Sequence, residues 1–356
     1  MVVCMNLIDE LSEYRDRGSL AYFASFPDRI SGYEYAFLGD GMITDPERIF
    51  DGKLRPLIVT YDFVNSVFGQ KVRRSGWPEM VSFDPDTVMK RRIVRSGYLT
   101  RKEVGDFSDP DLSRKIAEVR DLIRSGEVLQ AVISRDFEAC IDPWEKLREF
   151  IDHDRSRYVF YYRIGKYQVV GSSPENLVTV SGNEVFTDPI AGTVPSTVRS
   201  SVLLESMKDA NEHRMLLDLA RNDLSKFADI GTLGVSKVMQ IEEFSSVKHL
   251  VSQVRASFSN TPYLDILKSM FPAGTVSGSP KERAIEIIEK YEETPRGPYG
   301  GSIGITMDGM MDLALTIRSA YSDGSGFRVR AGAGIVKDSD PDAEVREIYS
   351  KARSVI

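Results

Sequence analysis

The spacing of apolar residues along the 356-residue chain changes several times, and each change predicts an element. In the first 95 residues, "SLAYFASF", "YEYAFLG" and "RPLIVTYDFV" are short apolar runs parted by Pro27, "GDG" and "DGK", which predicts strands. From Pro110 the elements lengthen. "DPDLSRKIAEVRDLIRSGEVLQ" has a capping Asp, apolar residues at helical spacing and Gly126 past its end, and "AVISRDFEA" follows as a strand. "RYVFYYRIGKYQVVGSS" reads as two strands around Gly165, and "NLVTVSGNEVFTDPIAGT" as a second hairpin turning at Ser181 to Asn183. "SSVLLESMKDANEHRMLLDLARNDLSKFA" is helical, and "GGSIGITMDGMMDLALTIRSAYSDGSGFRVRAGAGIV" predicts three consecutive strands joined at "MDGM" and "SDGSG". In "SGSPKERAIEIIEKYEE", Ser279 is the expected cap, Pro280 the first helical residue and Glu282 the partner in a capping box. The chain closes on a helix capped by Asp340 with Pro341 at its first position.

Hairpins alternating irregularly with helices predict an α+β fold rather than a regularly wound parallel sheet. With no repeat or Pro/Ser-rich linker, the change of style divides a strand-rich region, 1–95, packed onto the same core, from a domain at 96–356. Composition narrows the class. A chain with 42% hydrophobic residues can bury a large core without staples. Cys4 and Cys140 are too few for a disulfide framework or a zinc site, which indicates a reducing, cytoplasmic location. The opening "MVVCMNLIDEL" lacks a basic leader, and no run reaches membrane-spanning length. A net charge of -7 argues against a nucleic-acid surface, and the basic clusters "KVRRS" and "MKRRIVRS" read as solvated faces.

The candidate chemistry lies in the last two thirds. "FPAGTVSGSPKERAIEIIE" places a helix start, which favours an anion, beside bare glycine backbone. It lacks the lysine placement of a Walker loop, and "RAGAGIVKDS" has Lys337 where a dinucleotide fingerprint needs its third glycine. Both clusters lack a Cβ barrier, so backbone N–H groups can close on a carboxylate. On the closing helix Glu344, Glu347 and Lys351 share one face, and Asp209 and Glu212 repeat the i, i+3 carboxylate pair on an earlier helix. Such pairs are usually solvated helix faces. If these two face one another they need a cation, and oxygen-only ligands suit Mg²⁺. His249 lies in an apolar, strand-like run, where a structural ring is the commoner explanation, whereas His153 and His213 read as surface or helix-face residues. Arg318 in the apolar strand "LALTIRSA" needs a carboxylate that an anionic substrate could supply, and Lys351 could serve a second. The residues therefore describe a site for a small polyanion, a dicarboxylate, held by Mg²⁺, Arg, Lys and backbone amides.

The blocks "DPIAGT", "NEHRMLLDLARNDL", "VKHLVSQV", "FPAGTVSGSPKERAIEIIE", "RGPYGGSIGI", "LTIRSA" and "AGAGIVKDSDPDAEVREIYSKAR" resemble, in unbroken order over about 110–356, those of the chorismate-utilising enzymes, and most of all their anthranilate synthase component I branch. The resemblance implies two antiparallel sheets packed between helices around a chorismate cleft. It implies a Mg²⁺-dependent lyase making anthranilate and pyruvate from chorismate and ammonia, in tryptophan biosynthesis. Position by position, it implies that Glu212 and Glu347 bind the metal, with Asp209 and Glu344 supporting through water. Asp209 stands where the family usually has glutamate. The ring carboxylate would sit on the ion near the backbone of Gly192 and Thr193. Tyr299, Arg318, Gly332, Gly334 and Lys351 would hold the enolpyruvyl carboxylate and the ring. Glu175 matches the general acid, and His249 assists loss of pyruvate.

Two positions separate the branches. Gln130 stands where isochorismate and salicylate synthases carry a lysine base, and Ala191 where aminodeoxychorismate synthases carry a lysine. Both imply ammonia as nucleophile and anthranilate as product, with aminodeoxychorismate synthase as the alternative and a non-catalytic chorismate-binding subunit as a third reading. Neither cysteine has a glutaminase setting, so the resemblance implies a separate glutaminase subunit; alone, the chain should use free ammonium at alkaline pH. The arginine usual after "PIAGT" is absent, which leaves the contacts there open. The tryptophan-sensing "LLES" and "NPSPY" elements lack counterparts in the N-terminal region and before "YVFYY", where the chain reads "DHDRSR". Weak or altered feedback by tryptophan is the expectation.

Overall fold

The computed structural model describes residues 7–28, 30–94, 107–195, 198–244 and 247–356, apart from the side chains at 193, 195, 207–209, 243, 244 and 247. Every strand pairing among these residues is antiparallel, and the pairings run on into one continuous ribbon. One half runs in the order Gly234–Phe244, Val247–Ser257, Glu184–Thr187, Asn176–Ser181, Met310–Leu315, Ser302–Met307 and Arg55–Val59. The other half runs Ser31–Ile43, Ser19–Ser25, Tyr158–Ile164, Tyr167–Ser173, Ser319–Ser322, Phe327–Ile335 and Gln130–Ala139. The long strand Met80–Val94 joins the halves, pairing with Arg55–Val59 at its start and with Ser31–Ile43 over the rest. The strands that precede residue 95 thus lie in the middle of the ribbon.

The ribbon folds into two sheets because its strands are apolar on both faces. In Tyr158–Ile164, Tyr158, Phe160, Tyr162 and Ile164 enter an aromatic middle layer with Ile58, Ile303 and Ile305 of the other sheet. Val159 and Tyr161 face the opposite way, toward Leu112, Trp144 and Ile348 on the outer helices. The two-residue period of a strand sorts alternate side chains into these two layers. Each large apolar side chain buried in this way contributes roughly 1.5–3 kcal/mol. Helices Pro110–Arg124, Pro143–His153 and Pro341–Arg353 cover one outer face, and Met207–Ser225 and Tyr263–Met270 cover the other. The result is the α+β fold of two packed antiparallel sheets flanked by helices. No helix among the described residues is long and apolar enough to cross a membrane.

Local signals are met where they depend on neighbours in sequence. The Asp109 carboxylate accepts from the Leu112 amide and that of Asp340 from the Ala343 amide, and a proline opens each helix. Two expectations need correction. Ser279 is not a cap: its backbone pairs with Gln130, Pro280 precedes the helix Lys281–Tyr291, and no side chain caps it. The run "LALTIRSA" is broken, so there are four strands rather than three; Arg318 sits in the break at a φ of 48°. The region 200–228 is helical as expected, in two helices, Ser201–Glu205 and Met207–Ser225. Of the "MKRRIVRS" cluster, residues 89–94 end the long strand Met80–Val94 with Lys90, Arg91 and Arg92 exposed, as a solvated face requires, and residues 95 and 96 lie outside the described residues. Cys4 lies outside the described residues, and Cys140 is an exposed free thiol.

Candidate active site

The two sheets and three helical segments meet around a cleft of about 370 Å³. Twelve of the fourteen residues singled out from the sequence line it: Gln130, Glu175, Gly192, Glu212, His249, Tyr299, Arg318, Gly332, Gly334, Glu344, Glu347 and Lys351. The other two, Thr193 and Asp209, have side chains outside the described ones.

Glu175 occupies the tight connection between strands Tyr167–Ser173 and Asn176–Ser181. Its carbonyl accepts from the Leu315 amide at 2.9 Å and from the Ser173 hydroxyl at 3.2 Å, which fixes the backbone. The side chain is buried, and the Thr275 hydroxyl donates to its Oε1 at 2.9 Å. Burial pushes the carboxyl up to about 8, against the lowering effect of Thr275. At neutral pH it therefore carries a proton that it can give away.

His249 faces a bulge. Ala191 pairs with Leu250 and Val194 with Lys248, so Gly192 and Thr193 together oppose His249. Gly192 reaches the required φ of 64° without a Cβ penalty. Its carbonyl lies 2.8 Å from His249 Nδ1. A carbonyl only accepts, so Nδ1 donates to it, and Nε2 is the ring nitrogen not used in this bond. His213, expected on an exposed face, is buried instead. Its Nε2 lies 2.6 Å from the Ser252 hydroxyl, and burial holds its pKa down to about 4. The strand Val247–Ser257 covers that face of the helix.

Acidic and basic groups share the far wall. Glu212 comes from the helix Met207–Ser225, and Glu344 and Glu347 from Pro341–Arg353. Lys351 donates to Glu347 Oε1 at 2.7 Å and to the Gly332 carbonyl at 3.0 Å. Burial works against its charge, yet the Glu347 carboxylate outweighs that and holds the lysine above its ordinary range. Among the described residues no three or more Asp, Glu, His or Cys groups are gathered as a metal cluster. The donor set of this wall is nonetheless all carboxylate oxygen, which fits a hard cation such as Mg²⁺ and no softer metal. Arg318 forms no ion pair among the described residues, which leaves its cation for something that enters the cleft.

The glycines of "RAGAGIV" serve close packing of side chains. A Cβ on Gly332 would lie 2.6 Å from the Tyr299 hydroxyl, and one on Gly334 would lie 2.3 Å from the Gln130 amide nitrogen. The bare backbone thus admits Tyr299 and Gln130 to the cleft. Gln130 is buried, with no hydrogen-bond partner for Oε1 among the described residues. The segment "GTVSGS" contributes Thr275 and Val276, whereas no residue of the first turn of the following helix lines the cleft.

Sequence reasoning missed two features. Thr275 was in view inside a quoted motif but carried no signal of its partner. Behind Tyr299, Glu292 accepts from Arg296 Nη2 at 2.7 Å, Arg330 Nη1 at 3.1 Å and the Ser134 hydroxyl at 2.6 Å, all buried. The i, i+4 spacing of Glu292 and Arg296 was the one available hint.

A family model described as chorismate binding enzyme matches residues 96–356. Anthranilate synthase component 1 of Aeropyrum pernix is 37% identical over 354 residues, covering 87% of this chain and 80% of that protein. Its counterpart in Methanothermobacter thermautotrophicus is 40% identical over 281 residues, 75% of this chain and 60% of that one. Among solved structures, anthranilate synthase component I from Streptococcus pneumoniae superposes with a TM-score of 0.76 at 28% identity, covering 95% of this chain and 92% of that chain.

Proposed function

The chain belongs to the family of chorismate binding enzymes, and from that membership and the chemistry of the cleft we propose that it is the large subunit of an anthranilate synthase, making anthranilate and pyruvate from chorismate and ammonia. The observation that carries this reading is Glu175. It is a buried carboxyl raised to about 8, and it lines the same cleft as Arg318. A doubly negative ring compound supplies the anion that Arg318 lacks among the described residues, and its hydroxyl leaves poorly unless it is protonated.

In this reading Arg318, Lys351, Tyr299 and the backbone at Gly332 and Gly334 hold the enolpyruvyl carboxylate and ring, with Gly192 and Thr193 near the ring carboxylate. Glu175 gives its proton to the C4 hydroxyl, which departs as water while ammonia adds at C2. Gln130 cannot activate water as a lysine could, which favours ammonia. His249 then accepts the ring proton at Nε2 as pyruvate leaves and the ring becomes aromatic. Glu212 and Glu347 would hold Mg²⁺, with Asp209 and Glu344 behind them; the ion supplies charge compensation at the ring carboxylate.

Ammonia in the cell would come from a glutaminase subunit, in the cytoplasm, as part of tryptophan synthesis. Weak feedback by tryptophan belongs to the same proposal. Where sensing relatives have a proline-rich block, Arg157 of this chain is buried in an ion pair with Asp188. Near-complete inhibition by micromolar tryptophan would contradict that part.

The direct test is to mix the protein with chorismate, Mg²⁺ and ammonium. Anthranilate fluorescence and one pyruvate per turnover are expected; a non-aromatic para-amino product without pyruvate would contradict the proposal and indicate aminodeoxychorismate synthase.

A further inference from the structure

Glu175 borders two spaces. Besides the cleft, it bounds a small cavity of about 30 Å³ behind it. Glu175, Leu216 and Thr275 line both, while Asp223, Thr187 and Gly274 line the small cavity alone. A space of this size holds about one water, for which Glu175, Thr187, Asp223 and Thr275 offer polar partners among otherwise mostly apolar walls.

Asp223 is buried on the helix Met207–Ser225, and its two oxygens serve different cations. Oδ2 accepts from buried Lys281 at 2.6 Å, and Oδ1 accepts from Lys226 at 3.4 Å. Lys226 is about half exposed, 49% by side chain, so the same carboxylate touches the cavity on one side and a solvent-facing ammonium on the other.

The proposed reaction, on which this inference rests, makes a path to the rear of Glu175 useful. Each turnover moves the Glu175 proton onto the leaving hydroxyl, and the C2–ammonium formed by ammonia sheds one proton to solvent. One proton must then return to a buried carboxylate that faces the cleft on one side and the small cavity on the other. We propose that Asp223 returns it, through water in the small cavity, with Lys226 as the contact with solvent. The proton count closes: the ring proton taken by His249 is matched by the one the departing enolpyruvyl methylene gains as it becomes pyruvate, one proton leaves from nitrogen, one arrives through Asp223, and nothing is oxidised or reduced. Burial raises Asp223 and lowers Lys281 from their ordinary ranges, which suits a pair that exchanges protons.

The test separates the first turnover from later ones, since near neutral pH Glu175 starts with its proton in place. In Asp223→Asn, rapid-mixing kinetics should give a first turnover within about twofold of the parent, followed by a steady-state rate lower by about 10-fold or more, with a larger solvent deuterium effect. Equal losses in both phases would mark Asp223 as structural, and no loss in either would remove it from the path; both overturn the proposal. Because Asp223→Asn strands a buried lysine, Asp223→Asn/Lys281→Met gives a second variant with the pair removed together, and the same split is expected. Glu175→Gln is the control for the underlying reading: an unchanged first turnover there would sink the role of Glu175 itself, whatever Asp223 does.

Discussion

Glu175 and Glu292 are both buried glutamates, one lining the cleft and one behind Tyr299, yet they hold opposite charge states. Among the described residues the Glu175 carboxyl has one hydroxyl partner, Thr275, and burial pushes it up to about 8. Burial acts on Glu292 in the same direction, but Arg296, Arg330 and Ser134 outweigh it and keep its pKa below the ordinary value. Burial therefore does not decide the charge of a carboxyl; its partners do. The well-partnered glutamate ties Arg296 beneath Tyr299, with the guanidinium 5.4 Å from that ring. The under-partnered one is left with a proton to donate. The first region sets the shape of the cleft and the second supplies its chemistry.

The contrast is broken most severely at Glu175. Glu175→Gln should keep the fold and chorismate binding but lose about 10²–10⁴-fold in kcat, measured by anthranilate fluorescence; unchanged turnover would remove Glu175 from the mechanism. Glu292→Gln should act on stability instead, because it leaves Arg296 and Arg330 buried without their carboxylate. A loss of about 3–5 kcal/mol is expected from urea unfolding. Retention of parental stability would mean that the two arginines find water.

Arg318→Gln comes next. Removing a charged partner of the substrate should raise KM for chorismate by about 10–100-fold, with a smaller change in kcat. Equal KM would mean that the substrate anion lies elsewhere. The smallest effect is expected from Thr275→Val. The hydroxyl lowers the pKa of Glu175, so its loss should raise that pKa and move the alkaline limb of the pH–rate profile to higher pH, with a drop of about 2–10-fold in kcat at the optimum. The sign follows from the role: an acid is active while protonated, so activity falls as pH rises through its pKa. A shift to lower pH would contradict the role of Thr275.

What the sequence disclosed about this fold and cleft follows the range of the interactions. The caps at Asp109 and Asp340 depend on residues two or three positions away, so they were legible. The carboxylate pairs on the two helices were legible as patterns; that Glu212, Glu344 and Glu347 line one cleft depends on the tertiary fold. The capping role given to Ser279 failed because a strand 149 residues earlier, at Gln130, claims its backbone. Arg318 was read inside a continuous strand because nothing local announces a positive φ at an arginine. The burial of His213 depends on Ser252, and the network at Glu292 depends on Ser134 and Arg330, none of which a periodicity can bring together. The long strand Met80–Val94 is hidden because Lys90, Arg91 and Arg92 near its end are charged and exposed.

The most direct test of the central claim is the protonation state of Glu175 itself. Isotope-edited infrared difference spectra of the parent against Glu175→Gln, followed through a pH titration, would report its carbonyl stretch. A protonated carboxyl near pH 7 that disappears with a midpoint of about 8 is the predicted result. A carboxylate already ionised near pH 6 would contradict it.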